Sequence, residues 1–184
     1  ISNTDGSGET KITDIYSGVT DYEWSKDGKK ILFTSKVYPE CTTDECNKKR
    51  DEEKAKSKVK AELFTELMYR HWNDWRGEKR SHLFLFDTEE NKYSDLTLNS
   101  TFEVPPISLG SKNDFSFSPD GNEVVYTMNT DEFLSTSTNN DIFLISLGNA
   151  KKGTKTPAKK ISQSKGSDFQ PVFSPDRKYI AFAS

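Results

Sequence analysis

The 184-residue sequence predicts an all-β fold, and three observations carry that prediction. Hydrophobic content is only 32% while aromatics reach 12%. That combination suits many short strands divided by loops, because aromatic rings pack well on pleated surfaces. Apolar clusters of strand length recur along the chain, at 31–33, 83–86, 124–126 and 142–145. Finally, one strand-turn-strand pattern occurs three times.

The first copy runs from Tyr22 to Phe33 and contains Ser25-Lys26-Asp27-Gly28. The second runs from Asp114 to Tyr126 around Ser118-Pro119-Asp120-Gly121, and the third from Phe169 to Phe182 around Ser174-Pro175-Asp176-Arg177. Proline presets φ at the second position, aspartate suits the bridge region, and glycine takes a positive φ at little cost. Such a turn reverses the chain into an antiparallel partner. Lys26 in place of proline loosens the first turn, and Arg177 in place of glycine costs about 1 kcal/mol if that position is left-handed.

Further strands are expected between the copies, His82 to Asp87 with Tyr93 to Leu98 and Asp141 to Leu147 with Lys159 to Ser162. Four short strands per repeated unit is the pattern of a propeller blade. Asp120 and Asp176 are 56 residues apart, close to one blade of roughly 40–50 residues. Asp27 and Asp120 are 93 apart, which fits a blade carrying a large insertion. Residues 1–184 are therefore expected to form a partial β-propeller of about three blades of four-stranded antiparallel sheet. Ile1 to Thr13 would be the tail of one blade, two whole blades would follow, and half of another would close the chain. A closed propeller takes about four to eight blades, so the piece is read as a fragment, and its Ile1 start as a mark of processing or excision. Open sheet edges predict self-association of the isolated piece.

Residues 36–81 are expected to be a helical insertion in the first whole blade, opening with a loop around Pro39, Cys41 and Cys46. Val59, Leu63, Phe64, Leu67, Met68, Trp72 and Trp75 follow the spacing of one helix face. Glu62, Glu66 and Arg70 fall at four-residue steps on the other side, where Glu66 can pair with Arg70. Cys41 and Cys46 are near enough for a local disulfide, which would indicate a periplasmic or secreted protein, and two free thiols fit equally.

Several function classes are disfavoured. Net charge is −3, and the basic run 48–60 is interleaved with Asp51, Glu52 and Glu53, unlike a phosphate-gripping face. No nucleic-acid partner is expected. No run approaches the ~20 apolar residues of a membrane span, and no signal-peptide apolar region is present. The cysteines with His71 and His82 match no familiar zinc spacing, so neither metal nor cofactor is expected. The sequon at Asn99 has a high chance rate and decides nothing.

The stretch Arg70-His71-Trp72-Asn73-Asp74-Trp75, followed by Ser81-His82-Leu83-Phe84, resembles bacterial members of the prolyl oligopeptidase family, in the acylaminoacyl-peptidase and dipeptidyl-peptidase branch. Asn73 and Asp74 stand where that family usually has Asp and Glu. The resemblance implies a serine exopeptidase of two domains. An α/β-hydrolase domain would supply the catalytic triad, and the propeller would restrict entry to short peptides. No Gly-x-Ser-x-Gly elbow occurs in this chain, so no catalytic residue is assigned and the fragment itself is expected to be non-catalytic. His71 and His82 are the only histidines that could act as a base. Some relatives hold a substrate amino terminus with paired glutamates on a propeller helix. Glu62 and Glu66, with Arg70, His71 and Trp72 beside them, are the candidate substrate-binding residues. The rival reading is a non-enzymatic periplasmic binding propeller of the Tol-Pal translocation type, which shares the Ser-Pro-Asp-Gly repeats.

Overall fold

The computed structural model describes residues 1–65, 67–149 and 156–184. Among the described residues the chain is mostly β, with one α-helix and antiparallel sheets. The first sheet is a four-stranded meander of β1 (Tyr22–Trp24), β2 (Lys30–Val37), β5 (Arg80–Asp87) and β6 (Lys92–Asp95). Helix α1 (Asp44–Lys56) and the two-residue strands β3 (Arg70–His71) and β4 (Asp74–Trp75) fall between β2 and β5. The second sheet orders β7 (Phe115–Phe117), β8 (Glu123–Met128), β9 (Asp141–Ser146) and β10 (Ala158–Lys160) in the same way. The third pairs β11 (Phe169–Phe173) with β12 (Ile180–Ala183).

Each repeat forms the predicted strand-turn-strand, held by one bonding scheme. The serine hydroxyl donates to the aspartate two residues on, at 2.6 Å from Ser25, 2.7 Å from Ser118 and 2.7 Å from Ser174. The same oxygen accepts from the backbone N–H five residues on, that of Lys30 and Glu123 at the start of β2 and β8 and that of Tyr179 just ahead of β12. The fourth residue is left-handed in all three turns, Gly28 at φ +71°, Gly121 at +68° and Arg177 at +62°. Arg177 thus bears the strain that two glycines avoid.

The sheets stack face to face, and strand alternation decides which residue meets which neighbour. Leu32 and Leu83 of the first sheet pack with Val124, Tyr126, Met128, Phe143 and Ile145 of the second. The intervening positions Val125 and Ile142 face the third sheet and meet Phe173, with Ile180 against them. On the far side of the first sheet Ile31, Phe33, Phe84 and Phe86 are covered by Ile12 and Ile15. Cross-strand aromatic pairs reinforce both large sheets, with Phe33 on Phe84 at 5.2 Å and Tyr126 on Phe143 at 5.7 Å.

Two expectations are corrected. Residues 1–13 form no strand; Ile1 and Thr10 instead exchange backbone hydrogen bonds that close a small loop. The helix also lies ahead of the apolar stripe, over Asp44–Lys56. Thr43 caps its N-terminus by accepting from the Cys46 N–H, Asp44 and Glu45 occupy the first turn, and Lys54 and Lys56 the last. Ser57 is extended and ends it. Val59 to Trp75 cannot continue as one helix, because Met68 and Trp72 are left-handed at φ +61° and +50°. Among the described residues no helix is long and apolar enough to cross a membrane.

Candidate functional site

The insertion grows from the end of the β2–β5 ladder, where Val37 pairs with Arg80. Its foundation is polar. The only buried helix residue is Asn47, which accepts from the Tyr38 N–H at 2.9 Å. The Tyr38 ring carries Arg50 at 5.0 Å and Lys79 at 5.2 Å from its centre. Its hydroxyl donates to Asp51 at 2.9 Å, and Lys79 binds the other Asp51 oxygen at 2.6 Å. Burial pushes the Asp51 carboxyl up, but the bonds from Lys79 and Tyr38 outweigh it and hold the group below its ordinary value. The disulfide between Cys41 and Cys46 ties the preceding loop to the first helical turn. Both sulfurs are therefore spent, and neither is available to a metal.

Above this foundation the apolar stripe forms an exposed aromatic surface. Phe64 lies 5.3 Å from Tyr69 and 5.5 Å from Trp75, centre to centre. Strands β3 and β4 form a hairpin with Trp72 at its two-residue tip, 81% exposed. A cleft of about 570 Å³ opens beside the cluster, walled by Leu63, Phe64, Leu67, Met68 and Tyr69 with Arg76 and Arg80 among its polar groups.

The candidate substrate-binding residues separate into two places. Arg70, His71 and Trp72 sit together on the hairpin, and the His71 and Trp72 rings meet edge-on at 6.3 Å. Glu62 lies outside the aromatic cleft, on a neighbouring groove against α1, where Lys54 approaches it at 3.1 Å. Glu66 lies outside the described residues. Of the residues expected to form a helical ladder, Glu62 is in irregular chain and Arg70 in a strand, so these two share no helix. His82 is 1% exposed, with Nδ1 at 2.6 Å from Asp95 and Nε2 at 2.9 Å from the Ser100 carbonyl. Both ring nitrogens are occupied, so His82 ties strands together and has no nitrogen left to serve as a base.

Sequence reasoning missed Arg76. It follows β4, its side chain is 6% exposed, and its Nη2 lies 3.4 Å from Glu103, 27 residues away. Nothing in local spacing points to that partner. A second groove, of about 560 Å³, lies where β1, β7 and β11 converge and includes Asp21, Glu23, Lys112 and Gln170. Burial pushes the Glu23 carboxyl up, against the bond it accepts from the Phe117 N–H.

Comparisons with known proteins bear on this architecture. No family model matches the chain. Dipeptidyl-peptidase 5 of Porphyromonas endodontalis is 30% identical over 98% of the chain and 25% of its own length. The chain is a distant homologue of dipeptidyl-peptidase 5. Dipeptidyl-peptidase 5 of Porphyromonas gingivalis is 31% identical over 91% of the chain, and that of Arthroderma otae 29% over 88%. The chain spans about a quarter of the length of these relatives. The homology to dipeptidyl-peptidase 5, a serine peptidase of the prolyl oligopeptidase family, agrees with the resemblance read from residues 70–84. Among solved structures, TolB from Acinetobacter baumannii matches 97% of the chain and 30% of its own at a TM-score of 0.50 and 17% identity. The tricorn protease matches 93% of the chain and 16% of its own at 0.51 and 11% identity. At such identities the likeness is one of fold, and it falls on propeller regions.

Proposed function

We propose that the chain is a run of blades from the β-propeller of a dipeptidyl-peptidase-like serine exopeptidase, and that it frames the approach of short peptides to an α/β-hydrolase domain of the same polypeptide. The observation that carries this reading is the alignment of nearly the whole chain with a quarter-length segment of dipeptidyl-peptidase 5. The stacked meanders, each opened by the same Ser-x-Asp turn, support the blade assignment, with two four-stranded blades and the first two strands of another. The sequence holds no Gly-x-Ser-x-Gly elbow, so the nucleophile is assigned to the hydrolase domain.

In this reading the insertion supplies substrate contacts. Arg70, His71 and Trp72 present a polar-aromatic tip, while Glu62 and Glu66 remain the candidates for a substrate ammonium. Glu62 must exchange its bond to Lys54 to serve. The Cys41–Cys46 disulfide supports a periplasmic or secreted location. Strand β12 pairs only with β11 among the described residues, and Val172, Tyr179 and Phe182 are exposed beside it. The isolated segment therefore self-associates through that edge. The Tol-Pal-type reading rests on fold likeness alone.

The test is hydrolysis of dipeptidyl and acyl-aminoacyl chromogenic substrates by the full-length polypeptide and by residues 1–184. Cleavage by the long form alone supports the proposal. An inert long form lacking a reactive serine refutes it.

A further inference from the structure

We infer that the aromatic cleft of the insertion binds a carboxylate carried on a short apolar peptide, with Arg76 as the residue that receives the carboxylate. The peptide part of this inference rests on the peptidase reading, whereas the carboxylate part rests on the cleft.

Arg76 is a buried cation whose hydrogen bonding is incomplete. Its ion pair with Glu103 is long, at 3.4 Å, and its Nε has no hydrogen-bond partner. A guanidinium carries five N–H donors in a fixed fork, and leaving them unmet away from water is costly. The Arg76 backbone N–H donates to the Tyr69 carbonyl at 3.0 Å, which holds the residue at the base of the aromatic hairpin. A planar carboxylate entering the cleft would complete the fork with charge-assisted bonds.

The rest of the lining favours such a ligand. Among the described residues two carboxylates share the cleft, Glu40 and Glu78, and Arg50 holds both, at 3.2 Å and 2.8 Å. Lys54 also approaches Glu78, at 3.8 Å. Their charges are met from the helix side, while Arg76 and Arg80 supply positive charge from the strand side. Leu63 and Leu67 are 88% and 69% exposed on the wall, beside Phe64, Met68 and Tyr69. At about 570 Å³ the space is of the size that takes a small molecule, and its walls suit an apolar body next to the anion.

The experiment is isothermal titration of the full-length polypeptide, pretreated with a serine-directed phosphonate so that turnover does not contribute. The probes are N-acetyl-Leu-Phe and its C-terminal amide. The acid is expected to bind about tenfold tighter than the amide, as for loss of one charge-assisted contact. In Arg76→Gln the two affinities fall within about twofold of each other. In Leu67→Ser, an exposed change, both weaken while their ratio holds. Should Arg76→Gln not fold, Arg76→Lys, which keeps the charge and loses Nε, must also narrow the ratio. Equal affinity of acid and amide for the unmutated protein overturns the inference, as does an unchanged ratio in a folded Arg76 variant. Peptidase activity is a separate readout, so an inactive protein that still prefers the acid refutes the peptidase reading and retains the carboxylate site.

Discussion

The Gln170 backbone N–H donates to Asp114 Oδ1 at 2.9 Å, joining the first strand of the third sheet to the carboxylate that opens the second. Asp114 is fully buried, and it also accepts from Thr127 Oγ1 at 2.9 Å and from the Ser111 N–H. Three donors thus depend on one side chain. Asp114→Ala is expected to cost about 2 kcal/mol or more, because the Thr127 hydroxyl stays buried without a partner while the half-buried Ser111 and Gln170 N–H bonds lose the carboxylate that joins the two sheets. Urea denaturation followed by tryptophan fluorescence measures it, and a loss below about 1 kcal/mol would show that the donors find water instead.

Arg177 occupies the left-handed position that glycine holds in the two earlier turns, and it reaches across to Asp120 and Glu123 of the second sheet. Truncation to alanine removes the ion pairs and keeps the strain, whereas glycine removes both. Arg177→Gly should therefore be more stable than Arg177→Ala by about 1 kcal/mol. Thermal melts of the two variants decide the point, and equal melting would remove the claim of strain.

Acid should weaken the turns. The hydrogen bond from Ser118 leads the effects that bring the Asp120 carboxyl down to about 2; desolvation opposes it, and the bonds from Asn122 with the charge of Arg177 add to the lowering. Asp27 and Asp176 are lowered first by the bonds from Ser25 and Ser174. A carboxyl whose folded pKa is depressed contributes stability above its unfolded value, and that contribution is lost as pH falls through the folded one. For Asp120 the loss runs from about 4 down to about 2. The melting temperature should fall across that window, less steeply in Asp120→Asn.

The Cys41–Cys46 bridge closes a short loop at the start of α1. Replacing both cysteines by serine should cost about 2 kcal/mol, the loop-closure value for so short a ring. Amide exchange should accelerate first in Thr43 to Lys56. Unchanged exchange there would mean that Thr43 and the Tyr38–Asn47 bond hold the helix without the bridge.

The strands and turns were legible because their signals are local. Alternation at Ile31–Phe33 and Val124–Tyr126 places successive side chains on opposite faces, and the serine and aspartate of each turn bond within five residues. The insertion was misread for a physical reason. Helix α1 has no apolar face and docks through Asn47 and Asp51, so hydrophobic spacing could not find it, whereas the Thr43 cap followed by Asp44 and Glu45 could have. Val59, Leu63 and Leu67 kept helical spacing yet remain exposed, since Met68 and Trp72 turn the chain away. Arg76 and Glu103, or Asp114 and Gln170, meet only after the strands between them have paired.

The most direct test of the central claim is serine labelling of the full-length polypeptide by an active-site-directed fluorophosphonate, with cleavage of a dipeptidyl chromogenic substrate followed in parallel. The account predicts loss of cleavage with one modified serine outside residues 1–184. A polypeptide that cleaves nothing and takes no label would contradict it, as would a labelled serine within this chain.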